Sequence, residues 1–253
     1  MESYIFSSML AELLRFRRII AWVFVAFVLF GLAVVFHSVA PGMKPLDEYV
    51  MLSATLVFRI LPLSAAILSA AVVAQEVEQK TIVYLLTRPV PRWKLLVFRT
   101  LAAMVVVFII SAVTAVLVSA GTVGLHNELL IRDLKALLIG SAAYVSLFVF
   151  VSLLTTRAMI ICLLFSFIWE TSVPNIPGDM YRLTISGYLT SIAQRPSTGD
   201  ATTGFLNALA GMFGTNTVSP ETAYFTLAVL IAACLGVGAY WFSTFEYMAR
   251  EDV

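Results

Sequence analysis

Charge is what this sequence has least of. Aspartate, glutamate, lysine and arginine make up 12% of its 253 residues, against 60% for the apolar set, and mean hydropathy is +0.95. A soluble domain carries about twice that charged fraction. The net charge of +1 leaves no basic face for nucleic acid. Cysteine is scarce too. Cys162 and Cys234 each sit inside an apolar run, which excludes a disulfide framework and a cysteine-based zinc site. His37 and His126 have no partners at metal-ligand spacing and read as residues near the outer membrane surface. Glycine never precedes lysine, so the GxxxxGK[ST] loop that cradles nucleotide phosphates is missing, and the chain is not expected to be an enzyme or to bind a cofactor. An intramembrane hydrolase also finds little support, with no GxSG serine and with Glu76 and Glu78 separated by Val77. No internal repeat or low-complexity tract occurs.

What the chain has in abundance is long apolar runs. They fall at about 19–40, 49–74, 95–120, 136–154, from 157 to about 173, and 224–245. Runs of about 20 residues cross about 30 Å of hydrocarbon as helices. The expected fold is therefore an all-α integral membrane domain over 1–253, with about six transmembrane helices. Ahead of the first run, Ile5, Met9, Leu13 and Phe16 recur at helical spacing, predicting an interfacial helix over 1–18. Its charges, Glu12, Arg15, Arg17 and Arg18, do not fit a secretory signal. Between the last two runs, the segment 171–223 is rich in proline and glycine, predicting extracytoplasmic loops with short re-entrant helices. With the N-terminus inside, ten lysines and arginines fall on inner segments and five on outer ones. That bias predicts a multi-pass protein of the cytoplasmic membrane with both termini in the cytoplasm.

The inner segment QEVEQKTIVYLLTRPVPRWKLLVFR, residues 75–99, carries the most specific pattern. Glu76 and Lys80 stand in the i,i+4 order that supports a helix. Ile82, Leu85, Leu86 and Pro89 form a short apolar ridge, and the prolines at 89 and 91 break the helix. Arg92, Trp93 and Lys94 then start the third span, with Trp93 at headgroup depth. The expectation is a stiff helical hairpin over 76–94, pinned beneath the inner leaflet. This pattern of Glu76, Glu78, Thr81, Ile82, Leu85, Leu86, Arg88, Pro89, Val90, Arg92 and Trp93 resembles the signature of ABC-2-type transporter permeases. Lys80, Thr87 and Pro91 depart from it, standing where glycine, serine and a small polar residue are common. The resemblance implies a permease subunit of an ATP-driven exporter, paired as a homodimer or heterodimer on two cytoplasmic ABC ATPases. ATP and Mg would then be held by those ATPases, with the 76–94 hairpin as the coupling element. A non-transporting anchor or sensor driven by the same kind of ATPase stays open beside it.

Two charges lie inside apolar runs. Arg59 falls about 15 Å from the outer end of the second span, and Glu170 about 20 Å up the fifth from the inside. Each is costly in hydrocarbon, so the two are expected to pair, within one chain or across a dimer. The resemblance implies that spans two and five line the subunit interface and the translocation path. An apolar span set with few polar groups points to an amphiphilic cargo: a peptide, a lipid-like molecule or a drug.

Overall fold

Apolar stretches this long have few side chains to satisfy backbone N–H and C=O groups, so they satisfy them internally as helices. The computed structural model describes residues 16–39, 45–78, 92–124, 127–155, 157–173, 179–194 and 219–244. No strand occurs among them. Helix α1 is Phe16–Val39. Helix α2 runs through Pro45–Leu52, a π-helical turn at Ser53–Val57, and Phe58–Glu78. Helices α3 and α4 are Arg92–Thr122 and Glu128–Leu154. Helix α5 combines Ala158–Leu164, a second π turn at Phe165–Trp169, and Glu170–Ser172. A 3₁₀ turn at Asp179–Leu183 leads into the short α6, Ile185–Ile192, and α7 is Pro220–Thr244.

Among the described residues five helices are long and apolar enough to cross a membrane: α1, the Pro45–Val72 part of α2, α3, α4 and α7. The expected fifth span is the shorter apolar helix Ala158–Ser172. The expected interfacial helix over 1–18 lies outside the described residues except for its last three. Helix α4 begins at Glu128, two turns before the apolar run at 136. Asn127 caps it, its side-chain oxygen accepting from the Leu129 amide at 3.0 Å. Arg132, Asp133 and Lys135 are therefore helical rather than loop residues. Asp133 is buried and accepts from the Tyr49 hydroxyl at 2.9 Å. Helix α7 likewise starts early, with Pro220 at its first position, where a missing N–H costs nothing.

Helix α4 is the axis of the bundle, packed against α2, α3, α6 and α7. Its buried face carries Leu137, Gly140, Tyr144 and Phe148. Helices α1 and α7 are peripheral and leave large apolar side chains such as Phe24, Phe27, Phe225 and Tyr240 exposed. For helices immersed in lipid this is the expected outward face.

Gly140 sets how closely three helices approach. A Cβ there would stand 2.7 Å from Leu61 Cδ2 of α2 and 2.7 Å from Leu189 Cδ1 of α6. Both leucines are fully buried and have little room to yield. Gly140→Val is expected to lower stability by about 1–3 kcal/mol, the range for overpacked cores. Thermal unfolding in detergent measures it, and an unchanged midpoint would show that α2 and α6 do not close on α4 at this point.

Candidate functional site

The seam between α2 and α5 gathers most of the polar chemistry in the middle of the bundle. Each helix carries a π turn there, closed by i→i−5 bonds from the Phe58 amide to Ser53 O and from the Glu170 amide to Phe165 O. Inserted π turns recur at functional positions because one extra residue re-aims the side chains that follow. In α2 the widened turn lies shortly ahead of Pro62, which has no N–H to return to the Phe58 carbonyl. In α5 the Thr171 hydroxyl lies 3.4 Å from Ser166 O and helps satisfy the widened turn. Ser166 Oγ lies 2.9 Å from Cys162 O and 3.3 Å from Pro62 O, so one hydroxyl bridges the two helices.

Glu170 follows the second π turn and is buried. Its Oε1 accepts from the Ile185 amide at 3.1 Å. Its Oε2 accepts from the Ser186 amide at 3.0 Å and from the Tyr144 hydroxyl at 2.8 Å. The Thr184 hydroxyl accepts from the Gly187 amide at 3.2 Å. The first three N–H groups of α6 are thus all satisfied, two of them by a carboxylate at the positive end of the helix. Trp169 Nε1 adds a bond to Leu183 O at 3.2 Å. The end of α5, the 3₁₀ turn and α6 are stitched together around one carboxylate, against α4.

The expected ion pair between Arg59 and Glu170 does not form within the chain. Both residues reach the same place, but Arg59 Nη1 donates to Thr171 Oγ1 at 2.8 Å, one residue beyond Glu170. Among the described residues the carboxylate in contact with a basic side chain is Glu48, beside His37. The reason is competition: three converging neutral donors, two from a helix terminus, hold the carboxylate turned toward α6. Arg59 stays on the exposed side of α2.

A second polar group lies where α1 ends and α2 begins. His37 Nδ1 is 2.8 Å from Glu48 Oε2, with Glu48 fully buried, and Tyr49 beside it reaches Asp133. The exposed imidazole does not contradict the reading of His37 as a residue near the membrane surface, but that reading gave no hint of its contact with Glu48. The available signal was the acidic first turn of α2, Asp47 and Glu48, eleven residues beyond the histidine.

Of the hairpin residues, Glu76 and Glu78 lie in the last turns of α2, and Arg92 and Trp93 open α3. Thr81, Ile82, Leu85, Leu86, Arg88 and Pro89 lie outside the described residues. Helices α2 and α3 pack side by side, and Arg99 Nη1 donates to Val72 O at 3.3 Å, so the end of α2 and the start of α3 lie at one end of the bundle. Trp93 is exposed, with the Lys94 ammonium 5.8 Å from its ring centroid.

Long apolar helices around a buried polar seam define a multi-pass membrane protein. The chain matches the family model described as ABC-2 family transporter protein over residues 8–194, and it belongs to that family. The match takes in the α2–α5 seam and the hairpin and ends with the residue at which the described segment after α6 stops. No curated protein sequence matches the chain. Membership makes it a permease of an ABC transporter, a class that works in the membrane with an ABC ATPase.

Removing the Glu170 carboxylate leaves three donors without their acceptor, at about 1–3 kcal/mol for each that stays buried. Glu170→Ala is expected to destabilise the protein by about 3 kcal/mol or more and to speed hydrogen exchange at the Ile185 and Ser186 amides. Unaltered exchange at those two amides would show that α6 does not depend on this carboxylate.

Proposed function

We propose that this permease couples ATP hydrolysis on a separate cytoplasmic ATPase to export of an amphiphilic molecule, with the 76–94 hairpin as the point of coupling. The observation that carries the reading is the continuity of α2. One helix runs from the acidic residues of the hairpin, Glu76 and Glu78, up to the π turn beside Arg59. A push on the hairpin is carried along Phe58–Glu78 as a rod and is taken up where the helix is widened. The Arg99 bond to Val72 obliges α3 to follow. In this reading two ATPases hold ATP and Mg, and two copies of the permease meet at α2 and α5. Arg59 and Glu170 then stand by the path, and both termini lie in the cytoplasm. An exposed guanidinium within a membrane span supports such a covered or watered face, because lipid alone would leave it at a cost of about 2.5 kcal/mol or more.

The test is co-purification with the cognate ATPase. Leu85→Asp with Leu86→Asp should weaken ATPase binding by at least about 30-fold, the scale of an interface hot spot, while the permease elutes unchanged. Binding that survives the double change would remove the hairpin from the interface. In a chain freed of Cys162 and Cys234, Thr87→Cys should react with an impermeant maleimide only from the cytoplasmic side. Labelling from outside would exclude the coupling role.

A further inference from the structure

Arg59 is placed where a charge needs compensation and has none from the described residues. It stands 14 residues from Pro45 and 13 from Val72, so every 20-residue stretch of this candidate span contains it. Among the described residues its protein partner is the neutral hydroxyl of Thr171, and no carboxylate pairs with it. Glu170, the nearest acid in sequence to Thr171, is already turned onto α6 by its three donors. A guanidinium has five N–H donors in a planar fork, and one hydroxyl occupies a single arm.

The surroundings are apolar and uncovered. On α2, Met51, Thr55, Arg59 and Ile67 are exposed. On α5, Phe167 and Ile168, one turn before Thr171, are exposed by 59% and 61%. The combination is a positive fork beside the hydroxyl of Thr171, with apolar surface running along the helices on either side. A neutral amphiphile can accept from the fork but leaves its charge uncompensated, and a cationic one is repelled by it. A free inorganic anion gains nothing from the apolar walls and must leave water to reach them. Only a molecule with an anionic head and an apolar tail uses both.

We infer that Arg59 is the headgroup site for an anionic amphiphile that enters from the bilayer, with a phosphate or carboxylate bound in the fork and the tail lying along α2 and α5. This rests on the reading of α2 and α5 as the cargo-facing helices and narrows the cargo to one charge class.

The test uses the full chain in phosphatidylcholine nanodiscs with three probes of one chain length: dodecyl phosphate, dodecyl maltoside and dodecyltrimethylammonium. Dodecyl phosphate is expected to bind about tenfold more tightly than the other two, the scale of a charge-assisted hydrogen bond. Arg59→Gln should abolish that preference and leave maltoside binding unchanged. Thr171→Asp, which supplies the guanidinium with an anion inside the chain, should abolish it as well while keeping Arg59 and the fold. Equal affinity for the three probes, or a phosphate preference that persists in Thr171→Asp, overturns the inference. So does competition by inorganic phosphate as strong as by dodecyl phosphate, which would make this an aqueous anion site. If Arg59→Gln splits a dimer without touching the phosphate preference, the guanidinium belongs to the second copy and the inference falls. ATPase co-purification is measured on the same preparations. A bound ATPase with no phosphate preference removes the headgroup site alone, whereas a phosphate preference without ATPase binding removes the coupling reading alone.

Discussion

A single carboxylate organises the polar interior. Glu170 takes hydrogen bonds from Tyr144 on α4 and from the Ile185 and Ser186 amides at the start of α6, while itself ending the π turn of α5. A helix as short as α6 has no stability of its own in isolation. Its place depends on the apolar face formed by Ile185, Leu189 and Ile192 and on a partner for its leading N–H groups. Glu170 is that partner, and the aligned peptide dipoles repay the carboxylate for the water it has lost. The fit is reciprocal, since neither the acid nor the helix end is tolerable in this interior without the other.

The consequence reaches the next residue. Because Glu170 is saturated by neutral donors, Arg59 is left with a hydroxyl and keeps its charge exposed. Had the carboxylate turned the other way, the Ile185 and Ser186 amides would have lost their acceptor, leaving Thr184 alone to cap α6. Geometry at both positions is set by an inserted π residue, just before Arg59 in α2 and just before Glu170 in α5. The two widened turns do not stand in isolation, since the Ser166 hydroxyl reaches the Pro62 carbonyl across the seam. The helix containing Pro62 is therefore met by a polar group on α5.

Much of this was legible in the chain. Uninterrupted apolar runs announce membrane helices, because period and length alone decide that reading. The hairpin over 76–94 carried the family pattern, and the shared depth of Arg59 and Glu170 followed from counting residues at the helical rise. Their bonding was not legible. The donors that capture Glu170 are backbone amides fifteen and sixteen residues away, and every residue has such an amide, so no residue type marks them. The start of α4 was misplaced for a related reason. Arg132, Asp133 and Lys135 look like a loop until Tyr49, 84 residues earlier, is seen to bury Asp133. Neither π turn has a sequence signature beyond Pro62, and α5 does not have even that.

The arrangement also explains why the seam holds a buried acid so close to an exposed base without the two cancelling. Coulomb attraction at a few ångströms amounts to several kcal/mol at the effective dielectric of a protein surface, and it would ordinarily bring Arg59 and Glu170 together. Three donors compete with it, two of them backbone amides and the third the hydroxyl of the fully buried Tyr144, whereas an exposed arginine fork gives up rotamer freedom to bind. The acid is thus neutralised by dipoles and the base is left for something else. In an apolar bundle this is an economical way to hold positive charge at mid-membrane. The partial positive charge at the start of α6 compensates the acid, and Arg59 keeps its own charge beside a neutral hydroxyl.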